Sequence, residues 1–262
     1  MASSTRASRI SAEQALAAIS DANLDTAREL FAVANALQSS AQLRSLLSDP
    51  SAESAGKEHI VRKAFGAKLS ESTLKLVIAL VGLRWSATRD LAKTAESLGV
   101  RVIAQVSKDL DSLQGELFQI QQLVSSDPEL ELALSSNRAS SEQKQSLLSA
   151  LLNGKVSESA ALLASQAVSS KALKRYAAVL ETYGVWLAQV AGESVANIRV
   201  ARPLSDAQLE KLASALKQNF GRALQLNVEI APEVIGGVHV AVNGEVIDAT
   251  VLTKLTQARL QL

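Results

Sequence analysis

The sequence contains no cysteine, and this absence removes several kinds of chemistry at once. Without thiols there are no disulfides, no thiolate metal ligands and no cysteine nucleophile. Aromatic residues make up only 3% of the chain, so platforms for stacking nucleic-acid bases are few. The net charge of +1 offers no basic excess to neutralise phosphates. We therefore expect no nucleic-acid partner.

Glycine and proline are scarce, with 12 and 4 copies in 262 residues, so helices can run with few breaks. Long apolar runs are also missing. The longest, Leu76 to Leu83, is far short of the ~20 residues that span a bilayer, so we expect no direct membrane insertion. With 47% apolar and 20% charged residues, the composition is that of a globular protein.

Residues from about 11 to 190 are predicted to form successive helices, because apolar side chains recur at helical spacing. Ser70 is a predicted N-cap, and Asp127-Pro128 predicts a cap followed by a first-turn proline. Between them we predict a long helical stretch over about 86–125, with weak points at Leu98-Gly99 and Gly115.

The helical region repeats itself at a fixed spacing. A shift of 87 residues aligns Glu29-Leu30-Phe31 with Glu116-Leu117-Phe118 and KLSES (68–72) with KVSES (155–159), without a gap. Convergent helix composition is the alternative, since Leu, Ser and Glu are common in helices and caps. A fixed period over such a length favours the duplication of a helical unit.

The pattern changes near Ala191-Gly192. Alternating apolar residues predict strands, Ser205 and Gln208 form a predicted capping box, and Asn243-Gly244 predicts a two-residue hairpin. The predicted strands cover 194–201, 224–230 and 238–242, with a return strand from Val246 and a last helix from about Thr250. The fold class is therefore mainly α, with a partly duplicated amino-terminal helical bundle region and a small carboxy-terminal α/β module.

The sequence shows no motif that is typical of a catalytic, metal-binding or cofactor-binding site. No glycine-rich phosphate loop is present, and His59 and His239 have no partners at ligand spacing, so we expect no catalytic, metal or cofactor site. Both histidines are predicted to be surface residues. Trp85 and Trp186 stand out in so aromatic-poor a chain, either as packing anchors or as partner-binding residues.

The last 70 residues resemble the delta subunit of F-type ATP synthase, the oligomycin-sensitivity-conferring protein family. The segments that carry the resemblance are VARPLSDAQLEKLASAL (200–216) and LQLNVEIAPEVIGGVHVAVNGEVIDATVLTKLTQARLQL (224–262). The positions that match the family pattern in order are Gly237, Val246, Ile247, Asp248 and Leu255. Ala249-Thr250 departs from the family's usual Gly-Ser.

The resemblance implies a division of the chain into three parts. Residues 84–190 would be the six-helix bundle of the family, beginning at RWSATRDLAKTA (84–95), and 191–262 the carboxy-terminal module. Residues 1–83 would be an extra helical unit, and the chain looks like the long actinobacterial form of the family.

The resemblance also implies a function. The chain would be a non-catalytic stator subunit, present once in a hetero-oligomeric complex at the cytoplasmic face of the cell membrane. It would join the amino-terminal helices of alpha subunits in the catalytic head to the b stalk and resist rotor torque. The alternative is a helical protein-interaction scaffold unrelated to ATP synthase.

Partner contacts follow from the topology of that family. An alpha-subunit helix is expected between the helix of Leu91 and Leu98 and the helix of Leu162 and Leu163. The b contact is expected near the terminal helix. Its expected contact residues are Val251 and Leu255.

Overall fold

The chain folds into two compact units, Met1–Leu187 and Ala188–Leu262. In the first the elements are helical, and in the second a four-stranded sheet packs with a helix, so the predicted fold class is confirmed. The computed structural model describes residues 3–136, 138–171, 175–192, 194–220, 224–231, 238–242 and 245–248.

Eleven helices begin in the described part of the first unit. The helices are α1 (Ser3–Ala17), α2 (Leu24–Ser39), α3 (Ala41–Ser48), α4 (Ser54–Phe65), α5 (Glu71–Gly82), α6 (Thr88–Val106), α7 (Leu110–Ser125), α8 (Pro128–Ser135), α9 (Ser141–Leu152), α10 (Glu158–Ser169) and α11 (Tyr176–Val190). Ser70 accepts a bond from the Thr73 N–H, and Asp127 accepts from the N–H groups at the start of α8, so both predicted caps are confirmed.

The bounds of these helices repeat. Helices α3, α4 and α5 recur as α8, α9 and α10 with both ends displaced by 87 residues. The same displacement of 87 residues places α1 within the bounds of α6. We call α1–α6 the first repeat and α6–α11 the second repeat, so that α6 belongs to both.

A tertiary contact repeats with the helices. The N–H and hydroxyl of Ser70, which caps α5, donate to the Glu29 carboxylate at 2.8 and 2.7 Å. The same two groups of Ser157, which caps α10, donate to Glu116 at 3.1 and 2.5 Å. Common helix composition would not place the same long-range pair at the same spacing, so the structure supports the predicted duplication.

The predicted helical stretch over 86–125 consists of two helices, α6 and α7. The chain breaks after Val106, and Asp109 starts α7 by accepting a hydrogen bond from the Ser112 N–H at 2.9 Å. A short polar side chain offers the backbone this alternative to a continuous helix. The expected weak points, Gly99 and Gly115, both lie inside helices.

Gly99 is instead a point of close packing between α6 and α2. A Cβ atom at residue 99 would lie 2.5 Å from Cε1 of Phe31, whose ring is buried. Only a hydrogen atom fits there, so α2 and α6 approach each other closely at this point.

The second unit is a sheet with the strand order β2-β1-β3-β4. Strand β1 (Ser194–Val200) pairs in parallel with β2 (Leu224–Ile230), and α12 (Asp206–Phe220) lies between them in sequence. Strand β3 (Val238–Val242) runs antiparallel to β1 and to β4 (Glu245–Asp248). Val242 pairs with Glu245, as the predicted two-residue hairpin requires. The turn residues Asn243-Gly244 and the helix predicted from Thr250 lie outside the described residues.

The core of this second unit lies on one face of the sheet. Its strand residues alternate in burial, as a half-buried sheet requires, and Leu216 of α12 packs on them. The buried strand residues are Ala196, Ile198, Val200, Val240 and Val242. The Ser205 N–H donates to the Gln208 side chain at 2.9 Å, as one half of the predicted capping box requires.

Candidate docking surfaces

A buried polar cluster joins four helices of the first unit. The Glu96 carboxylate on α6 is fully buried and accepts hydrogen bonds from Gln38 of α2, Gln166 of α10 and Tyr183 of α11. Gln166 also exchanges two 3.0 Å amide hydrogen bonds with Asn35 of α2. Three donors compensate the desolvation of the carboxylate, so the cluster holds α2, α10 and α11 at fixed positions around α6.

The two tyrosines of the chain belong to this part of the fold. Burial, and next the nearby Glu96, raises the pKa of Tyr183 well above its usual value. Burial, and next Glu131, likewise raises the pKa of Tyr176, whose hydroxyl donates to the Ala164 carbonyl at 3.1 Å. Both phenols therefore stay protonated at neutral pH and act as donors.

Helix α2 lies across the groove in which the sequence predicts a partner helix. Its amino-terminal end bonds α10 through Arg28 and Glu158, at 2.6 Å, and its carboxy-terminal end reaches α6 through Gln38 and Glu96, at 2.9 Å. Between these ends Phe31 covers Gly99. The groove between α6 and α10 is thus filled by the chain itself.

Three of the predicted contact leucines are consequently core residues. Leu91 and Leu98 are each 1% exposed and Leu163 is fully buried, while Leu162 is half-buried. Val251 and Leu255 lie outside the described residues. Sequence reasoning did not find the residues of the polar cluster. The sequence feature that could have indicated this cluster is the acidic Glu96, which stands among apolar residues on one face of α6.

The equivalent groove in the first repeat, between α1 and α5, is not covered by any helix among the residues that the structure describes. It holds a cavity of about 690 Å³. Its lining includes Ala15 of α1, Ile19 just after α1, and Glu71, Lys75, Leu76 and Ala79 of α5. Among these, Glu71, Lys75 and Ala79 are exposed on one face of α5.

The residues singled out for their chemistry have ordinary surroundings. His59 is exposed, as predicted. His239 on β3 is half-buried, because β1 pairs with β3 at this position. Trp85 is buried and donates to the Leu80 carbonyl at 3.1 Å, which makes it a packing residue. Trp186 is half-buried beside the Tyr183 ring. Within the described ranges, no group of three or more acidic or histidine side chains could hold a metal ion.

These features define a structural class. It consists of a duplicated helical bundle, in which helices of the two repeats pack on one another, and an α/β unit. None of the helices described combines the length and the apolar character needed to cross a membrane.

The chain belongs to the ATP synthase delta (OSCP) subunit family, whose model matches residues 13–98 and 99–262. The two matched segments meet inside α6, the helix that both repeats share. The family places the chain as a non-catalytic subunit of the peripheral stalk of F-type ATP synthase. The prediction of a structural, non-enzymatic role is confirmed, and the alternative of an unrelated scaffold is wrong.

Relatives in actinobacteria match almost end to end. The chain is 38% identical to ATP synthase subunit delta of Kineococcus radiotolerans, over 90% of this chain and 87% of the relative. It is 36% identical to the same subunit of Beutenbergia cavernae, over 95% and 93%. The identity to the subunit of Leifsonia xyli is also 36%, over 100% and 99%. The resemblance to the long form of the family is thus confirmed.

Proposed function

We propose that this subunit joins the catalytic head to the b stalk, as one copy per complex at the cytoplasmic face of the cell membrane. The helical unit binds amino-terminal helices of alpha subunits, and the carboxy-terminal unit binds the end of b. The joint holds the head still against the torque of the rotor. In this arrangement residues 1–83 are an extra unit, 84–190 the family bundle and 191–262 the stalk-binding module.

The observation that best supports a load-bearing role is the buried polar cluster around Glu96. A body that transmits torque has to resist relative movement of its parts. Pulling α2 or α10 away from α6 would leave buried donors without acceptors, at about 1–3 kcal/mol for each group. The cluster therefore opposes separation of the two repeats more strongly than apolar packing alone would.

Two separate units also suit an adaptor that holds two partners. Once one partner is bound, the second binds at a high effective concentration, so moderate affinities give a long-lived joint. In the proposal the b contact includes Val251 and Leu255 near the end of the chain.

The alpha contact is proposed for the helical unit as a whole. An alpha helix in the groove between α6 and α10 would reach Leu91, Leu98 and Leu163 only after α2 had moved out of that groove. Leu162 alone among the four has a partly exposed side chain.

The test is co-purification with the head and with b. The full chain should retain both partners. A chain in which residues 249–262 are replaced by a Gly/Ser segment of equal length should keep the head and lose b. Unchanged circular dichroism controls for folding. If the replaced chain still retains b, the stalk assignment fails, and if the full chain binds neither partner, the whole proposal fails.

A further inference from the structure

Two buried lysines occupy equivalent positions in the two repeats. Lys57 is the fourth residue of α4, and Lys144, found by the shift of 87 residues, is the fourth residue of α9. Lys57 is 5% exposed and Lys144 is 9% exposed. A buried ammonium group needs hydrogen-bond acceptors or a negative charge to compensate for its lost hydration, so both repeats have to meet the same requirement.

In the first repeat, the chain itself compensates the lysine. The Lys57 ammonium donates to the Val81 carbonyl near the end of α5, at 3.1 Å. Burial lowers the pKa of Lys57, and the negative charge of Asp49 opposes this shift. Asp49 follows the last residue of α3, where its carboxylate accepts a hydrogen bond from the Ser51 N–H at 2.8 Å. Lys57 therefore has both an acceptor and a counter-charge within its own repeat.

In the second repeat, neither compensation is found among the described residues. The shift of 87 residues places Ser136 where Asp49 stands, and Ser136 ends α8 as Asp49 ends α3. The Ser136 hydroxyl accepts from the Arg138 N–H at 3.1 Å, so the turn is kept while the carboxylate is lost. In the described part of the chain, no group lies within hydrogen-bond or ion-pair distance of the Lys144 ammonium. Lys144 thus lacks the partners that Lys57 has.

Lys144 instead borders a cavity of about 1020 Å³, which we call the Lys144 cavity. The cavity lies among the end of α8, the start of α9, the end of α10 and the start of α11. Its charged lining residues are Lys144 and Lys171. Five serines also line it, namely Ser135, Ser136, Ser141, Ser169 and Ser170. This lining offers positive charge and hydroxyl groups without a carboxylate.

The charges around the Lys144 cavity favour an anion. The Lys171 ammonium donates to the neutral Ser39 hydroxyl at 3.3 Å, so its charge is not offset by that contact. The ends of α8 and α10 each contribute about −0.5 charge and the start of α9 about +0.5, which leaves more than about one positive charge with the two lysines. Neighbouring carboxylates lie outside the lining, since Glu131 pairs with Arg175 at 3.5 Å and Glu142 is exposed.

We propose that the Lys144 cavity is a binding site for a phosphate group, whose oxygens accept hydrogen bonds from the Lys144 ammonium and from serine hydroxyl groups. The anion supplies the negative charge that Asp49 supplies in the first repeat. Hydrogen bonds between an ammonium and an anionic oxygen are about twice as strong as neutral ones, and the amino-terminal end of α9 adds to the attraction. The volume of the cavity is that of a site for small molecules, so the phosphate group is either free or part of a nucleotide.

Calorimetric titration tests the site. Inorganic phosphate and, separately, ADP are added to the full chain at an ionic strength held constant with a chloride salt. Inorganic phosphate should bind with a stoichiometry of one. If ADP binds at least about tenfold more tightly, the phosphate group of a nucleotide is the ligand, whereas an affinity for ADP no higher than that for phosphate indicates the free ion.

Two substitutions test the role of the lysine. Lys144→Gln removes the charge and should weaken phosphate binding at least about tenfold. Ser136→Asp gives Lys144 the carboxylate that Lys57 has, and should weaken phosphate binding to a similar extent. The turn at Asp49 already accepts an aspartate, so this variant should fold. Lys155→Gln removes an exposed lysine outside the lining and should leave the binding unchanged. Circular dichroism of each variant verifies folding.

Three results would overturn the inference. These are the absence of binding by both inorganic phosphate and ADP, undiminished phosphate binding by folded Lys144→Gln, and undiminished phosphate binding by Ser136→Asp. If Lys144→Gln does not fold, Ser136→Asp alone decides. The proposed function is tested separately, because co-purification with the head and b is carried out without phosphate.

Discussion

The first and second repeats of the helical unit have equivalent helices but differ in what covers them. Helix α10 carries the buried Gln166 where α5 carries the exposed Ala79, and α2 contacts Gln166 through a pair of amide hydrogen bonds with Asn35. The burial of a helix face is therefore decided by its neighbour and not by the repeat to which it belongs. A duplicated bundle can in this way use one copy of a surface for internal packing while the other stays accessible.

Glu96 should show the largest difference between the repeats. Replacing Glu96 with alanine removes the acceptor of the Tyr183 hydroxyl and of the Gln38 amide, while the Gln166 amide keeps Asn35, so we expect a loss of about 2–4 kcal/mol in the free energy of unfolding. At the equivalent position of the first repeat, Arg9→Ala should cost less than about 1 kcal/mol, because Arg9 is half-exposed. Urea denaturation measures both. Equal losses would contradict the special role of the cluster.

Gly99 and Gly115, two of the glycines inside helices, should respond in opposite directions. Gly99→Ala should destabilise the chain by about 1–3 kcal/mol, because the new methyl group collides with Phe31. Gly115→Ala meets no atom within 4 Å and should stabilise α7 by up to about 1 kcal/mol. Thermal unfolding of the two variants compares them directly. A harmless Gly99→Ala would mean that α2 and α6 are less closely packed than described.

Alkaline titration should report on the second repeat alone, since both tyrosines lie on α11. Their pKa values are raised in the folded chain, so stability is unaffected below the unfolded tyrosine pKa of ~10 and falls above it, by about 1.4 kcal/mol per tyrosine for each pH unit. Tyrosinate absorbance should rise only as the helical circular dichroism is lost. A reversible rise near pH ~10 with intact helices would contradict the burial of these phenols.

The smallest effects should be equal in the two repeats. Glu29→Ala and Glu116→Ala each remove the acceptor for a capping serine, Ser70 or Ser157, and each should cost about 0.5–1 kcal/mol. Measured in the same denaturation series, the two losses should agree within error. A clear inequality would show that the repeats are equivalent in helix bounds but not in energetics.

Much of the local structure could be predicted from the sequence. Ser70 and Asp127 start helices as predicted, strands β2 and β3 have the predicted bounds, and the spacing of 87 residues recurs in the helix bounds. These features depend on local capping, alternation and self-similarity, which short stretches of sequence express directly.

Other features depend on contacts that a local pattern does not contain. Gly99 was expected to weaken a helix, but its role is set by Phe31, which is distant in sequence. Leu91, Leu98 and Leu163 have the apolar character of a docking surface and of a core alike. Only the position of α2 decides between the two, and α2 reaches α10 through pairs such as Arg28 and Glu158.

The central claim, that one chain joins the head to the stalk, is tested most directly by native mass spectrometry of the purified head, the full chain and a soluble b segment. The claim predicts a complex that contains the head, one copy of the chain and b, and no head–b complex when the chain is omitted. A head–b complex that forms without the chain, or a chain that binds the head or b but never both together, would contradict it.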